Sequence, residues 1–439
     1  MAMVVKNNMS ALSALNTLNT NTNALSKSLK KVASGMKINS AADDASGYAI
    51  SEKMRVNIRS LNQANANAQN GTSMMKVAEG AVSSTVEILK TMKEKAVNAA
   101  NDTNTDADRA TIQKELDQSI DQINDNANVT FNGQYLVDGS KSKGTTNTTT
   151  AMTNISLNTA TATDSALTDL KSRSGDSLNI HSTDTVTISY VKDGSTHTSS
   201  MTVGSDGELG KIISKLTGGE LKIAGAGAGT GASSTIGKDG SGNTVYTASG
   251  ETGITISAST AGVGGQIAGF TMYITDNTGA VNKSANAVLD AFDESIRAVN
   301  SSQDNSINMQ VGAKAGQAIK VGLTDMKAVA LGLQGKNGDT VSVGTREKAN
   351  AAINTFDSAI QKALDQQTTI GAAMSRLEYT QSNLTTASEN VTAAESTIRD
   401  ADMAKEMTEY TKNNVLMQAA QSMLAQANQS SSNVLSLLQ

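Results

Sequence analysis

ALSALNTLNTNTNALSKSLKKVASGM, residues 11–36, places mostly apolar residues at alternating spacings of four and three. The positions are Ala11, Leu15, Leu18, Thr22, Leu25, Leu29, Val32 and Met36. This alternation puts the residues on one side of an α-helix and is typical of a coiled-coil seam. The stretch therefore predicts a long helix that packs along another helix.

A second run with the same spacing extends from Ile353 to Ile398. At 1.5 Å per residue it would form a rod of roughly 69 Å, longer than an ordinary globular helix. Three polar residues interrupt its seam, namely Gln367, Gln381 and Glu395. They either set the register of packing or lie at exposed edges, and the second interpretation is preferred. The other seam positions are Phe356, Ile360, Ala363, Ile370, Met374, Leu377, Leu384, Ser388 and Val391.

The last stretch keeps the same spacing up to the end of the sequence. Its positions are Leu416, Ala420, Met423, Ala427, Ser431, Val434 and Leu438. Chain ends are usually polar and frayed, so leucines this close to the end require a partner that covers them.

Composition excludes several classes of protein. The 439 residues include no Pro, no Cys, no Trp and two His, with a net charge of −5. Average usage predicts about 22 prolines, and their absence suits long helices and rapid refolding. No basic stripe indicates nucleic-acid binding, and no apolar run reaches the length of a membrane span. The first 20 residues lack a continuous apolar segment, so no signal peptide is expected.

Residues 39–130 are predicted to form two further helices. In NSAADDASGYAISEKM (39–54), Ser40 and Asp43 have the spacing of a capping box, and Asp44 adds negative charge at the helix start. The adjacent acids could also hold a cation, but no third ligand follows at metal-site spacing, so capping is preferred. NDTNTDADRA (101–110) predicts a turn before a helix that contains Ile112, Leu116, Ile120 and Ile123.

The middle of the chain has a different composition. After a Ser/Thr/Asn-rich segment come strand-like runs, TVTISYVKDGSTHTSSMTV (185–203) and TVYTASGETGITISAS (244–259), with Asp-Gly and Gly turn signals. GELGKIISKL (207–216) and NAVLDAFDESIRAV (286–299) are predicted to be helical. The Ser/Thr-rich segments are either plain polar surface or sites of O-glycosylation.

No catalytic, cofactor or metal site is predicted. GAGAGTGASS (225–234) lacks both the dinucleotide spacing and the Gly-Lys-Ser/Thr ending, which favours a flexible loop. His181 and His197 are too few for a metal site or a catalytic triad. The chain is therefore not expected to be an enzyme.

Motifs at both ends resemble those of bacterial flagellins. At the N-terminal end they are SGMKINSAADDASGYAISEKMRVNIRSLNQANANAQNG (34–71), VAEGAV (77–82) and FNGQYLVDGS (131–140). Towards the C-terminal end they are INMQVGAKAGQAI (307–319), SRLEYTQSNLTTASENVTAAESTIRDADMAKEM (375–407) and QAAQSMLAQANQSSSNVLSLLQ (418–439). The motifs follow the order found in the family, and together they are highly specific.

The resemblance implies a mostly α-helical filament subunit with long coiled-coil-like rods from both termini packed together and a β-rich (α+β) outer insert. The expected segments are 1–38 and 398–439 as the inner coiled coil, 39–140 and 346–397 as the rod layer, 141–305 as a variable surface insert, and 306–345 as a returning strand and loop segment. FNGQYLVDGS and INMQVGAKAGQAI usually lie near each other, so the insert here separates them and its two ends should be close in space.

The resemblance also implies partners and a location. The chain would form a helical homopolymer in an extracellular flagellar filament, be exported unfolded by the flagellar type III apparatus, and meet a cap protein, hook–filament junction proteins and an export chaperone. Neighbouring subunits would cover the apolar residues of the terminal segments. These are Leu15, Leu18, Leu25, Leu29, Val32, Leu416, Met423, Val434, Leu435 and Leu438.

One departure from the family concerns an immune receptor. The patch read by the flagellin-sensing Toll-like receptor usually has the form QRVRELAVQ, whereas this chain has KTMKEKAVN (90–98). Thr91 replaces an Arg and Lys95 replaces a Leu, while Glu115 matches a further contact position. Thr cannot make the bidentate contacts of a guanidinium, so weakened receptor activation is predicted.

Three rival functions are weaker. An extracellular coiled-coil adhesin would explain the heptads, but a signal peptide or surface anchor would be expected with it. An enzyme in the insert would need His and acid spacing that is not found there. A junction protein shares parts of the terminal pattern, and STIRDADMAKEM (396–407) with VLSLLQ (434–439) favours the main filament subunit.

Overall fold

The apolar periodicity of both ends is realised as long helices in a computed structural model that describes residues 8–204, 207–223, 233–248 and 250–436. The helices of these residues are α1 (Met9–Ser34), α2 (Ala45–Ala99), α3 (Asp106–Ala127), α4 (Leu209–Leu216), α5 (Lys283–Leu289), α6 (Ala328–Leu331), α7 (Arg346–Arg399) and α8 (Met403–Ser436). None of the described helices is both long and apolar enough to cross a membrane.

The strands of the described residues lie between α3 and α7. They are β1 (Thr130–Phe131), β2 (Gln134–Tyr135), β3 (Ala151–Asn154), β4 (Thr185–Lys192), β5 (Ser195–Thr202), β6 (Leu221–Ile223), β7 (Thr235–Lys238), β8 (Thr244–Tyr246), β9 (Ile254–Ala258), β10 (Ile267–Thr275), β11 (Asp293–Ile296), β12 (Ile307–Gln310) and β13 (Ala318–Val321).

The chain divides into two compact units. The terminal unit comprises Met1–Ala68, Gln310–Gln317 and Tyr379–Gln439, and the middle unit comprises Gln69–Met309 and Ala318–Glu378. The predicted mostly helical class with a strand-rich insert is confirmed.

The seam predicted on α7 is confirmed by burial. Phe356, Ala363, Ile370, Leu377 and Leu384 are buried, and the seam positions between them are half-buried. The preferred interpretation of the three polar seam residues as exposed edge positions is wrong. Gln367, Gln381 and Glu395 are half-buried on the same side of the helix as the apolar residues. Because the helix turns 100° per residue, strict heptad positions share the packed side whatever their chemistry.

The start of α2 corrects the predicted cap. Asp43 accepts hydrogen bonds from the backbone N–H groups of Asn39 and Ser40, which closes a turn before the helix. The helix itself is capped by Asp44, whose Oδ1 accepts from the backbone N–H groups of Ser46 and Gly47, both at 3.0 Å. The predicted pair Ser40 and Asp43 therefore orders the approach to α2, and the next acid caps it.

The start of α3 is also corrected. The predicted turn over residues 101–110 ends earlier, because Thr105 and Asp108 form a capping box in which each side chain accepts from the other's backbone N–H. The helix therefore begins at Asp106. Its predicted core residues Leu116, Ile120 and Ile123 are fully buried.

The main core of the insert is shared by two sheets and two helices. The sheets have the strand orders β10-β4-β5 and β11-β3-β9-β6. Residues from both sheets and from α4 and α5 form a single cluster, whose largest members include Phe270, Ile188, Leu167, Leu170, Met272 and Ile256. The ends of the insert are adjacent, since the N–H of Asn305 donates to the carbonyl of Ser142 at 3.1 Å.

The strand-like run 185–203 with its Asp-Gly turn signal is confirmed, and one helix prediction is partly wrong. β4 and β5 pair through a turn at Asp193 and Gly194, both with positive φ, as an Asp-Gly hairpin requires. NAVLDAFDESIRAV is helical only to Leu289, and Asp293–Ile296 instead forms β11, which pairs with β3. Pairing at a sheet edge overrides the local helix preference of this short run.

Candidate assembly surface on the terminal helices

In the terminal unit, α1 and α8 pack side by side in opposite directions. The amide of Asn8 donates to the carbonyl of Ala427, and that of Asn21 donates to the carbonyl of Leu416, at 3.3 and 3.2 Å. Lys31 and Glu406 form an ion pair at 3.2 Å. At the end of the pair, the N–H of Ala401 donates to the carbonyl of Gly35 at 2.9 Å. These contacts define the antiparallel register.

The corner between the terminal helices and the rod helices is fixed by Arg399. Its guanidinium donates to Glu52 at 2.7 Å and lies over the ring of Tyr48, 5.5 Å from the centroid. The side chain of Arg399 is buried, and the pKa of Glu52 is lowered mainly by the hydrogen bond from Arg399. A charge-assisted bond of this kind holds the turn between α7 and α8 in one geometry.

The side of α1 that faces α8 is less apolar than the heptad predicts. The residues shielded along this side are Ala11, Ala14, Leu18, Asn21, Leu25, Ser28, Val32 and their neighbours. Small and polar residues thus alternate with the predicted leucines, and Ser28 accepts from the amide of Asn413 at 3.1 Å. Such a seam sets register at a cost in stability.

The remaining heptad positions of α1 form an open flank. Leu15 and Leu29 are 41% and 51% exposed, and Thr22 between them is exposed as well. One helix therefore carries two overlapping stripes: one stripe is shielded by α8, and the other is largely exposed.

The helix α8 likewise has one side that is shielded in the pair and one side that is exposed. Its shielded side carries Asn413, Met417, Ala420, Leu424 and Ala427. Leu416 and Met423 lie off this side and are 42% and 65% exposed.

The predicted packing residues thus fall into three groups. Leu18, Leu25 and Val32 are half-buried in the α1–α8 pair, whereas Leu15, Leu29, Leu416 and Met423 are exposed. Val434 and Leu435 lie on α8 with side chains outside the described residues, and Leu438 lies outside them entirely. We call Leu15, Leu29, Leu416 and Met423 the open apolar set.

Other exposed apolar residues on these helices were not predicted. They are Met9, Leu12, Met403, Met407 and Val415. They fall off the single stripe that the heptad selects, so a search for a second stripe on the same helices would have been needed to find them. A monomer that leaves so many apolar side chains on one pair of helices presents an interaction surface.

The receptor-face positions lie together in the middle unit. The ammonium of Lys95 forms an ion pair with Glu115 at 2.9 Å, joining α2 to α3. The hydroxyl of Thr91 donates to the carbonyl of Glu87 at 3.1 Å, within its own helix. Glu115, predicted to contact a receptor, thus already has a cationic partner in this chain.

Family models match both ends of the chain. The model described as the bacterial flagellin N-terminal helical region matches residues 5–142, and that described as the C-terminal helical region matches residues 353–438. These matches cover the elements that build the α1–α8 pair and the rod helices.

Curated relatives match along nearly the whole chain. A flagellin of Clostridium tyrobutyricum is 36% identical over 428 residues, covering 97% of this chain and 99% of the relative. A flagellin of Bacillus subtilis is 29% identical over 99% of this chain and 100% of its own length. The flagellar filament 33 kDa core protein of Treponema phagedenis is 28% identical with the same coverage.

Solved structures also match, at lower similarity. FliC from Burkholderia pseudomallei is 16% identical, covering 70% of this chain and 99% of that one, with a TM-score of 0.26. A flagellar junction protein, FlgL from Legionella pneumophila, is 15% identical with 75% and 99% coverage and a TM-score of 0.29.

Proposed function

The chain belongs to the bacterial flagellin family, and from this premise we propose that it polymerises by burying the open apolar set of α1 and α8 against neighbouring copies. As a family member it is a structural subunit of the flagellar filament. The observation that carries the proposal is the exposure of Leu15, Leu29, Leu416 and Met423 in the single chain. A head-to-tail contact whose rotation does not close yields an open helical polymer.

The α1–α8 pair supports assembly coupled to ordering. Its contact side interleaves small and polar residues with leucines, and most helical stability in proteins comes from the packing of an apolar face. Burial of the open flank by a second copy would add the apolar contacts that the pair lacks. The terminal helices would thus reach full stability in the filament.

The export and location parts of the proposal follow from the same features. Chains without Pro or Cys neither isomerise slowly nor cross-link, so passage in an unfolded state and rapid folding at a growing tip suit this composition. We propose the type III flagellar route, a cap protein and an export chaperone as partners, and an extracellular filament as the location.

A charge on the open apolar set tests the proposal. We expect Leu29→Asp to slow seeded filament growth about tenfold or more, because burying an unpaired carboxylate costs several kcal/mol. Growth would be followed by light scattering and by electron microscopy with short filament seeds. Monomer stability should change little, since Leu29 is exposed.

The matched control is Asn23→Asp. Asn23 is exposed on the side of α1 that faces away from α8, so this variant adds the same charge to the same helix without removing an apolar contact. Growth of Leu29→Asp at the rate of Asn23→Asp would refute the role of the open apolar set.

The predicted departure from the family at the receptor-face positions has a test of its own. We expect this flagellin to activate the flagellin-sensing Toll-like receptor at least about tenfold more weakly than a potent flagellin, since Thr91 and Lys95 remove a bidentate and an apolar contact. The double variant Thr91→Arg/Lys95→Leu should recover much of the response in a cell reporter assay. It also releases Glu115 from its ion pair with Lys95.

Lys90→Leu is the control for this test. Lys90 pairs with Glu87 on the same helix, so the substitution removes an equivalent exposed ion pair. A full response from the unmodified chain, or an equal gain from Lys90→Leu, would contradict the prediction.

A further inference from the structure

The exposed methionines of the described residues all lie on the two terminal helices. Met9 of α1 is 67% exposed, and Met403, Met407 and Met423 of α8 are 44%, 45% and 65% exposed. The described methionines of the middle unit are buried or half-buried. We call Met9, Met403, Met407 and Met423 the exposed methionine set.

The methionine thioether is the most readily oxidised side chain of this sequence. The chain has no Cys and no Trp but 18 Met. Hydrogen peroxide transfers one oxygen atom to the thioether sulfur. An S–O bond forms as the O–O bond breaks, the sulfur loses two electrons, and the other peroxide oxygen leaves as water. The product, methionine sulfoxide, is polar where the thioether was apolar.

Exposure decides which of these sulfurs react, because the oxidant reaches them from water. Met75, Met92 and Met272 are fully buried in the middle unit and are therefore shielded. The exposed methionine set has no such cover in the single chain. Oxidation of a free subunit thus falls on the terminal helices and spares the core of the middle unit.

The exposed methionine set shares its helices with the surface that the filament proposal buries. Met423 belongs to the open apolar set and lies two turns from Leu416 on α8. Met403 and Met407 are four residues apart, so they lie one turn from each other on the same helix. A sulfoxide at such a position needs hydrogen-bond partners that an apolar contact does not supply, so the contact is weakened.

We propose that the exposed methionine set is a modification site, at which hydroperoxides oxidise the free subunit and stop it from joining a filament. This inference rests on the proposed burial of the terminal helices between copies, because a sulfoxide disturbs assembly only where its side chain enters a contact. Burial in the filament in turn shields the sulfurs from the oxidant. Reduction of the sulfoxides restores the apolar surface, since this level of methionine oxidation is reversible.

The test treats the full-length monomer with hydrogen peroxide and follows each methionine by peptide mass spectrometry. We expect the exposed methionine set to oxidise at least about tenfold faster than Met75, Met92 and Met272. Seeded growth of the oxidised monomer should be at least about fivefold slower, and both methionine sulfoxide reductases together should restore it. In assembled filaments the set should oxidise at least about tenfold more slowly than in the monomer.

A variant with Leu in place of all four members tests the assignment directly. Leu has nearly the volume of Met and is not oxidised, so growth before treatment should stay within about twofold of normal and should not respond to peroxide. The matched control replaces Met74, Met201 and Met374, which are half-buried in the middle unit, by Leu. It keeps the exposed methionine set, so peroxide should slow its growth as much as that of the unsubstituted chain.

Three results would overturn the proposal. They are normal growth of the oxidised monomer, an equal loss of growth in the four-Leu variant, and loss of the thermal unfolding transition of the oxidised chain, which would indicate general damage. The filament proposal is judged separately, by Leu29→Asp without peroxide. Slow growth of that variant together with normal growth of the oxidised chain would refute the oxidation site alone, whereas normal growth of Leu29→Asp would refute the filament contact.

Discussion

Removal of residues 420–439 is expected to abolish filament growth from seeds. In the antiparallel pair, Asn8 contacts Ala427, whereas Asn21 contacts Leu416 just before the deletion, so the deleted segment is the partner of the first turns of α1. The deletion also removes Met423 from the open apolar set. The pairing of the first turns of α1 and part of the proposed contact surface are lost together, and so short a helical stretch does not persist alone in water.

Two control chains separate the possible causes. A chain in which a Gly/Ser segment of equal length replaces residues 420–439 should also fail to polymerise, because it restores the length but not the helix. Substituting the exposed polar residues Gln421 and Ser422 by Ala should leave growth near its normal rate. Filaments from the truncated chain at the normal rate would show that the terminal segment of α8 is not an assembly element.

Gly269→Ala is expected to destabilise the protein by about 3 kcal/mol or more, the upper range for single substitutions. Gly269 has a φ of +61°, at the irregular pairing between β10 and β4. A Cβ atom there would overlap the backbone carbonyl of Ala351 and the hydroxyl of Thr355 on α7. The clash is with backbone and with a buried hydroxyl, so a rotamer change cannot relieve it. The melting temperature should fall by roughly 10 °C.

Gly279→Ala is the control that separates the cost of backbone strain from the cost of steric overlap. Gly279 has a φ of +85°, but a Cβ atom there would meet nothing within 4 Å. Its cost should be about 1–2 kcal/mol, from the left-handed backbone alone. Equal losses for the two variants, measured by thermal and denaturant unfolding, would show that the close approach of β10 to α7 does not matter.

The heptad spacings show which structural features a local sequence pattern can predict. They predicted α1, α7 and α8 correctly as helices, and on α7 they selected the packed side. On α1 and α8 the heptad spacing selected residues from two different stripes, one shielded in the α1–α8 pair and one exposed. Leu18 and Leu25 pack against α8, whereas Leu15 and Leu29 do not. A 3.6-residue turn allows adjacent stripes to share residues, and the partner helix alone decides which stripe is used.

The insert shows the opposite case. The Asp193–Gly194 dipeptide predicted the turn between β4 and β5, because a two-residue hairpin turn requires a positive φ at both positions and these residue types allow it. Residues 293–296 were predicted to be helical from their local sequence. They form a strand instead, because they pair with β3, which lies 140 positions earlier in the chain.

The sequence by itself determined the helical rods, the β-rich insert and the family, because heptad spacing, turn residues and terminal motifs are properties of neighbouring residues. The tertiary structure decided which flank of α1 stays open and that Lys95 forms an ion pair with Glu115. The physical reason is that each of these depends on contacts between side chains far apart in the chain, and their free energies are set by burial and geometry that no local pattern contains.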